Sequence, residues 1–141
     1  QLLQRRKSIE RAANIEQIIN PEFKPTDTRT NDEILMEKIT KAIEENMEDV
    51  EFNVTQLSQL LNIDQKQLYR KIKTLTGITP IAYLKKLRMK KAAVLLREDR
   101  FTISEVMYLV GYTNASYFTK CFTEEFGMSP KQFAIDHFEK K

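Results

Sequence analysis

Apolar residues recur along this chain at helical spacing, and twice, 49 positions apart, the pattern opens on the same phrase: FNVTQL at 52–57 and FTISEV at 101–106. Each phrase reads as a helix start. Asn53 and Thr102 carry side-chain oxygens suited to the N-cap, and Gln56 and Glu105 stand three residues on, as in a capping box. Phe52/Leu57 and Phe101/Val106 occupy the two positions of a hydrophobic staple. After each start come a short apolar-periodic helix, a break, a second helix that ends at glycine (Gly77, Gly127), and a proline three residues further on (Pro80, Pro130). Glycine is the usual residue just past a helix end and proline fits the first position of the next one. The chain therefore holds two helix-turn-helix units, 53–77 and 102–127, the second with a turn one residue longer.

At 100° per residue, Leu68, Ile72 and Leu75 share one arc of the first unit's second helix (64–76) and are expected to face the core. That leaves Lys66, Tyr69, Arg70 and Lys73 on the opposite face. In the matching helix of the second unit (114–126), Phe118, Phe122 and Phe126 are expected inward, with Cys121 at the edge of that arc as a core thiol, and Ser116, Thr119, Lys120 and Thr123 outward. Asp64 and Asn114 read as the N-caps of these two helices. Between the units, residues 80–98 predict a helix of about eighteen residues, roughly 27 Å long. Its apolar positions fall on two arcs, Leu84/Leu87/Val94/Leu95 and Met89/Ala93/Leu96, with Lys86 and Lys90 pointing elsewhere. Such a helix can seat one unit on each face. It could also hold two helices about one DNA turn apart, ~34 Å, as entry into successive major grooves requires.

Three Gly and four Pro in 141 residues are too few for the turns of an all-β fold, so an all-α fold is expected. With one cysteine, Cys121, and one histidine, His137, there is no internal disulfide, no cysteine-based zinc site and no nucleophile–histidine pair. No glycine-rich phosphate loop or metal-ligand cluster stands in the sequence, so neither an enzyme nor a cofactor is expected. No run of eighteen apolar residues marks a membrane span, and a cytoplasmic location is expected.

Charge is divided unevenly. Residues 1–50 carry 8 basic and 11 acidic side chains, and residues 51–141 carry 15 and 9. Within 54–91, nine cations (Lys66, Arg70, Lys71, Lys73, Lys85, Lys86, Arg88, Lys90, Lys91) face one acid, Asp64. A run so nearly of one sign suits an anionic partner better than a solvated face, which mixes signs. Arg and Lys can bond guanine edges in the major groove, Ser and Thr can bond bases or offer a methyl to thymine, and Tyr can reach phosphate. The competing reading is a helical protein-interaction module. A partner groove, however, would want apolar anchors at 66/69/70/73, where the sequence offers mostly cations.

The segments LYRKIKTLTGITPIAYL (68–84) and GYTNASYFTKCFTEEFGMSPKQF (111–133) strongly resemble the DNA-binding domain of the AraC/XylS family of bacterial transcription regulators, a likeness extending over about residues 32–138. The resemblance implies a seven-helix domain, here 32–141, closing with a helix at 130–139. It also implies double-stranded DNA as partner, with the second helix of each unit in the major groove. Carried over by position, the base-facing sites fall on Lys66, Tyr69, Arg70, Ser116, Thr119 and Lys120. Lys73, Lys86, Lys90 and Thr123 are expected at phosphates. One departure stands out: where many members continue the second reading helix with basic residues, this chain has Thr123, Glu124 and Glu125. Residues 102–141 count four basic against five acidic side chains, so the second unit is expected to hold phosphate less firmly.

Residues 1–31 are expected to hold an N-terminal helix at 1–19, with Leu2, Ile9, Ala12, Ala13 and Ile19 as candidate contacts, and a linker at 20–31 marked by two prolines; a coiled-coil contact and a disordered arm are open alternatives. Thr30 and Glu33 then offer a capping box to a helix carrying Ile34, Leu35, Ile39, Ile43 and Met47. The stretch LLQRRKSIERAANIEQIINPEF resembles the connection after a phospho-receiver domain in hybrid two-component sensors with an AraC-type output. With a first residue of Gln1, the chain is expected to be part of a longer signalling protein, which could be membrane-anchored, and a homodimer contact through the N-terminal segment or upstream domains is open.

Overall fold

A computed structural model describes residues 29–137, so the helix and linker expected within 1–28 lie outside the described residues. Seven helices and no strand occur among them: α1 (Asn31–Glu45), α2 (Val54–Leu61), α3 (Gln65–Thr76), α4 (Pro80–Glu98), α5 (Ile103–Leu109), α6 (Ala115–Phe126) and α7 (Pro130–Asp136). The fold is the expected all-α arrangement of two helix-turn-helix units, α2–α3 and α5–α6, on either side of the long α4. The last helix stops at Asp136, three residues short of the expected 139; His137 caps it.

Local chemistry sets each boundary. Asn53 accepts from the Gln56 amide at 2.9 Å, so α2 begins with the forward half of a capping box. The full box forms at α5, where Thr102 Oγ1 accepts from the Glu105 amide (3.1 Å) and Glu105 Oε1 from the Thr102 amide (2.9 Å). Thr30 Oγ1 likewise accepts from the Glu33 amide at the start of α1, at 3.1 Å. Gly77 and Gly127 end α3 and α6 at φ of 80° and 76°, a left-handed conformation in which each amide donates back to the carbonyl four residues earlier. Pro80 and Pro130 then open α4 and α7 behind the caps Thr79 and Ser129.

The turns inside the two units are closed by matching bonds. In the first, the Asn62 amide donates to Gln59 O and the Ile63 amide to Ser58 O; in the second, 49 residues on, Gly111 donates to Tyr108 O and Tyr112 to Met107 O. Asn62 and Gly111 both have positive φ, 54° and 85°. The extra residue of the second turn falls after this shared bend.

From Leu35 onward the helices enclose one core. It gathers Ile39 and Ile43 of α1, Leu57 of α2, Leu68 and Ile72 of α3, Met89 and Leu96 of α4, Val106 of α5 and Phe118 and Phe122 of α6. Helix α4 touches both units, packing on α2 and α3 and on α5, α6 and α7. Two sequence expectations need correction. Leu75 is 39 % exposed, because angular position on a helix says nothing of depth along it and the last turn of α3 overhangs the core. Val94 is 40 % exposed and lines an open cleft instead of seating a unit. Cys121, at the edge of the inward arc, is fully buried, as a core thiol should be.

Candidate nucleic-acid interface

Helix α3 is oriented by its buried side, Leu68 and Ile72, and started by Asp64, whose carboxylate accepts from the Lys66 and Gln67 amides at 3.1 and 3.4 Å. Lys66, Tyr69, Arg70 and Lys73 are consequently all exposed, Tyr69 by 47 % despite its ring. Lys73 Nζ donates to Gly77 O at 3.3 Å, so its ammonium rests at the helix end, where the carbonyl dipoles favour a cation. Helix α6 is started by Asn114, which accepts from the Tyr117 amide at 2.9 Å. Ser116, Thr119, Lys120 and Thr123 are all exposed, as the sequence periodicity requires. Thr123 donates its hydroxyl to Thr119 O at 2.7 Å, which leaves the oxygen only as an acceptor toward solvent.

The rings behind α6 fix its orientation. Phe122 lies 4.6 Å from Phe126 and 5.3 Å from Phe133, Phe118 lies 5.6 Å from Tyr112, and Phe133 stacks on His137 at 4.2 Å. Burial first, then the neighbouring Cys121, holds the Tyr112 hydroxyl well above its ordinary range, so it stays protonated. A hydrogen bond with Cys121 raises Tyr117 in the same direction.

The basic segment is smaller than it reads in the sequence. Lys85 Nζ sits 3.5 Å from Glu124 Oε2 of α6. Partial burial works to lower this ammonium, but Cys121 and Glu124 outweigh it and the pKa is raised. Glu124, the departure noted above, is thus turned to the spacer helix. Lys90 and Lys91 border an open cleft of about 970 Å³ whose other wall carries Glu44, Glu45, Glu48 and Asp49. Lys86 is exposed.

Arg88 departs furthest from expectation. Only 5 % exposed, it meets no outside anion: Nη1 donates to Met47 O (2.9 Å) and Val110 O (2.6 Å), and Nη2 to Asp49 O (3.1 Å) and Phe52 O (3.3 Å). Desolvation lowers its pKa, opposed by Tyr112, whose ring centroid lies 6.0 Å away, and by Asp49. Sequence reasoning counted it as one more surface cation. The signal was present, since Ile81, Leu84, Ala92 and Leu95 stand at i−7, i−4, i+4 and i+7 from it, an apolar stripe interrupted by one charge. Among the described residues no His/Cys/Asp/Glu group could hold a metal, and no helix is long and apolar enough to cross a membrane.

Two capped helix pairs, each with an exposed polar stripe on its second helix and joined through one rigid spacer, define a tandem helix-turn-helix protein. The profile of the helix-turn-helix domain family matches residues 57–134, and the chain belongs to this family in its AraC-type, transcription-regulator form. It is 38 % identical over 109 residues to histidine kinase P4 of Formosa agariphila, covering 77 % of this chain and 8 % of the kinase. It is 32 % identical over 81 residues to the HTH-type transcriptional activator RhaS of Escherichia coli O139:H28, covering 57 % of this chain and 29 % of the activator. The chain thus spans less than a third of either relative. Among solved structures it is similar to the C-terminal domain of AraT, a response regulator from Geobacillus stearothermophilus, with a TM-score of 0.71 and 27 % identity over 82 % of this chain and 93 % of that one.

Proposed function

We propose that this chain binds double-stranded DNA sequence-specifically in the cytoplasm, as the output part of a longer bacterial signalling protein, with α3 and α6 in successive major grooves. The observation that carries the reading is the exposed stripe Lys66/Tyr69/Arg70/Lys73, repeated fifty residues on as Ser116/Thr119/Lys120/Thr123, each on the second helix of a helix-turn-helix unit. A helix docks in the major groove with its outward residues at base edges. Lys66 and Arg70 suit guanine O6 and N7, and Ser116, Thr119 and Lys120 suit mixed base edges, with Tyr69 packing beside them. Lys73 and Lys86 serve phosphates; Lys90, beside the acidic wall of its cleft, and Thr123, an acceptor toward solvent, contribute less. The relatives, a histidine kinase, a transcriptional activator and a response regulator, support an output module in a two-component pathway. Binding of this kind needs no catalysis and no cofactor. Pairing of two copies, if it occurs, would run through residues 1–31 or sequence upstream.

Genomic fragments retained by the protein at low salt, shifted again at two salt concentrations, test the reading. Binding that weakens steeply with salt yet prefers particular fragments is expected. Arg70→Ala should cost about 1–3 kcal/mol and relax preference at one position, whereas Lys73→Ala should weaken all fragments and lower the log–log salt slope by about 0.9. Retention without salt dependence or preference would defeat the proposal. Equal losses from Arg70→Ala and Lys120→Ala would defeat the inequality of the two halves.

A further inference from the structure

A single nitrogen of Arg88 bridges the two halves of the molecule. Its Nη1 gives one hydrogen to Met47 O, in the segment leading into the first unit, and one to Val110 O, in the turn of the second. Nη2 adds Asp49 O and Phe52 O on the first side. The stem comes from α4, which packs on both units, so three parts of the chain converge on one planar group. All four acceptors are neutral main-chain oxygens. A buried cation hydrogen-bonded to no carboxylate is costly to keep, and removing acceptors from it is costly too, so the guanidinium resists displacement from the carbonyls that surround it.

The second turn is shaped around this group. A Cβ on Gly111 would stand 1.5 Å from Arg88 Nη1 and 2.5 Å from Met47 O, so any side chain at 111 would occupy the place of the guanidinium. The first unit has Asn62 at the matching bend. Left-handed backbone alone therefore does not account for the glycine; the close approach of Arg88 does.

We propose that Arg88 is a positioning residue that sets the mutual orientation of the reading helices α3 and α6, and with it the spacing of DNA half-sites the protein accepts. This rests on the DNA-reading function proposed above. Two modules held in fixed register bind their second half-site at high effective concentration, and loosening the register reduces that gain without touching either module. Lysine is the informative replacement. It keeps a positive charge and a long stem but lacks the flat fork that reaches carbonyls on two sides.

The test uses the protein on a selected duplex holding both half-sites, on the same duplex with one or two base pairs inserted between them, and on a duplex with one half-site. An inserted base pair rotates the halves by roughly 34°. For the natural sequence, one insertion should weaken binding about tenfold or more. For Arg88→Lys, binding to the uninterrupted duplex should fall about ten- to a hundredfold, the cost of an insertion should shrink to about twofold, and affinity for the single half-site should change by less than about twofold. Gly111→Ala, which keeps Arg88 but displaces it, should act alike if it folds. A variant as sensitive to insertion as the natural protein, or equally weakened on one half-site and on two, overturns the proposal. Amide residual dipolar couplings in the free protein supply a readout that needs no DNA. The couplings of α3 and α6 should fit one alignment tensor in the natural sequence and require two in Arg88→Lys. A shared tensor in the variant overturns the inference, whereas absence of duplex binding by the natural protein defeats only the DNA reading.

Discussion

The two helix-turn-helix units share their caps, their closing turn bonds and their glycine stops, yet differ in almost everything those devices hold in place. The first packs Leu57, Leu68 and Ile72 and shows Lys66, Arg70 and Lys73; the second packs Val106, Phe118 and Phe122 and shows Ser116, Thr119 and Thr123 around one Lys120. Carboxylates in α6 sharpen the contrast, although Glu124 is engaged with Lys85 of the spacer. The difference teaches that backbone geometry here is fixed by a few polar atoms at helix ends, while core and surface vary independently of it. One unit can be specialised for gripping phosphate and the other for reading edges without altering the frame.

The largest effect should come from exchanging the residues at the shared bend. Asn62→Gly removes a side chain from a left-handed position that glycine tolerates, and a change within about 0.5 kcal/mol of the natural stability is expected. Gly111→Asn thrusts atoms into Arg88 and should cost about 5 kcal/mol, from overpacking and from a buried cation driven off its acceptors. Urea unfolding of both variants measures the gap, and similar losses would show that the two bends are equivalent after all.

A smaller effect should follow from making the surfaces alike. Thr123→Lys places a cation at the position matching Lys73, and the log–log salt slope of DNA binding should steepen by about 0.9; Lys73→Thr should flatten it by the same amount. If the first exchange leaves the slope unchanged, position 123 lies away from phosphate. The smallest effect concerns the caps. Hydrogen bonds from the Thr102 backbone and side chain hold the Glu105 carboxyl below its ordinary range. Its contribution is present above the ordinary carboxylate pKa and is lost as pH falls through the depressed one. The melting-temperature deficit of Glu105→Ala should therefore shrink on acidification, whereas that of Gln56→Ala should not move, because Gln56 does not titrate. Parallel behaviour of the two would break this last contrast.

The helices were legible because their ends are local. Asn53, Asp64, Thr102 and Asn114 each bond an amide two or three residues away, so sequence spacing alone locates them. The outward stripes on α3 and α6 were legible for the same reason, being set by periodicity within twelve residues. Depth and long-range pairing were not. Leu75 shares the angle of Leu68 but lies past the core, and Lys85 finds Glu124 39 residues away. For Arg88 the apolar stripe around it hints at burial, but its partners are main-chain oxygens that leave no mark in side-chain identity.

Those oxygens carry a consequence for drift. Every residue at 47, 49, 52 and 110 would present the same carbonyl, so substitutions there leave the guanidinium's acceptors in place so long as the backbone path holds. Arg88 thus asks nothing of the side chains at those four sites, where Met47, Phe52 and Val110 are constrained by the core instead, but it closes Gly111, where the smallest possible addition already collides.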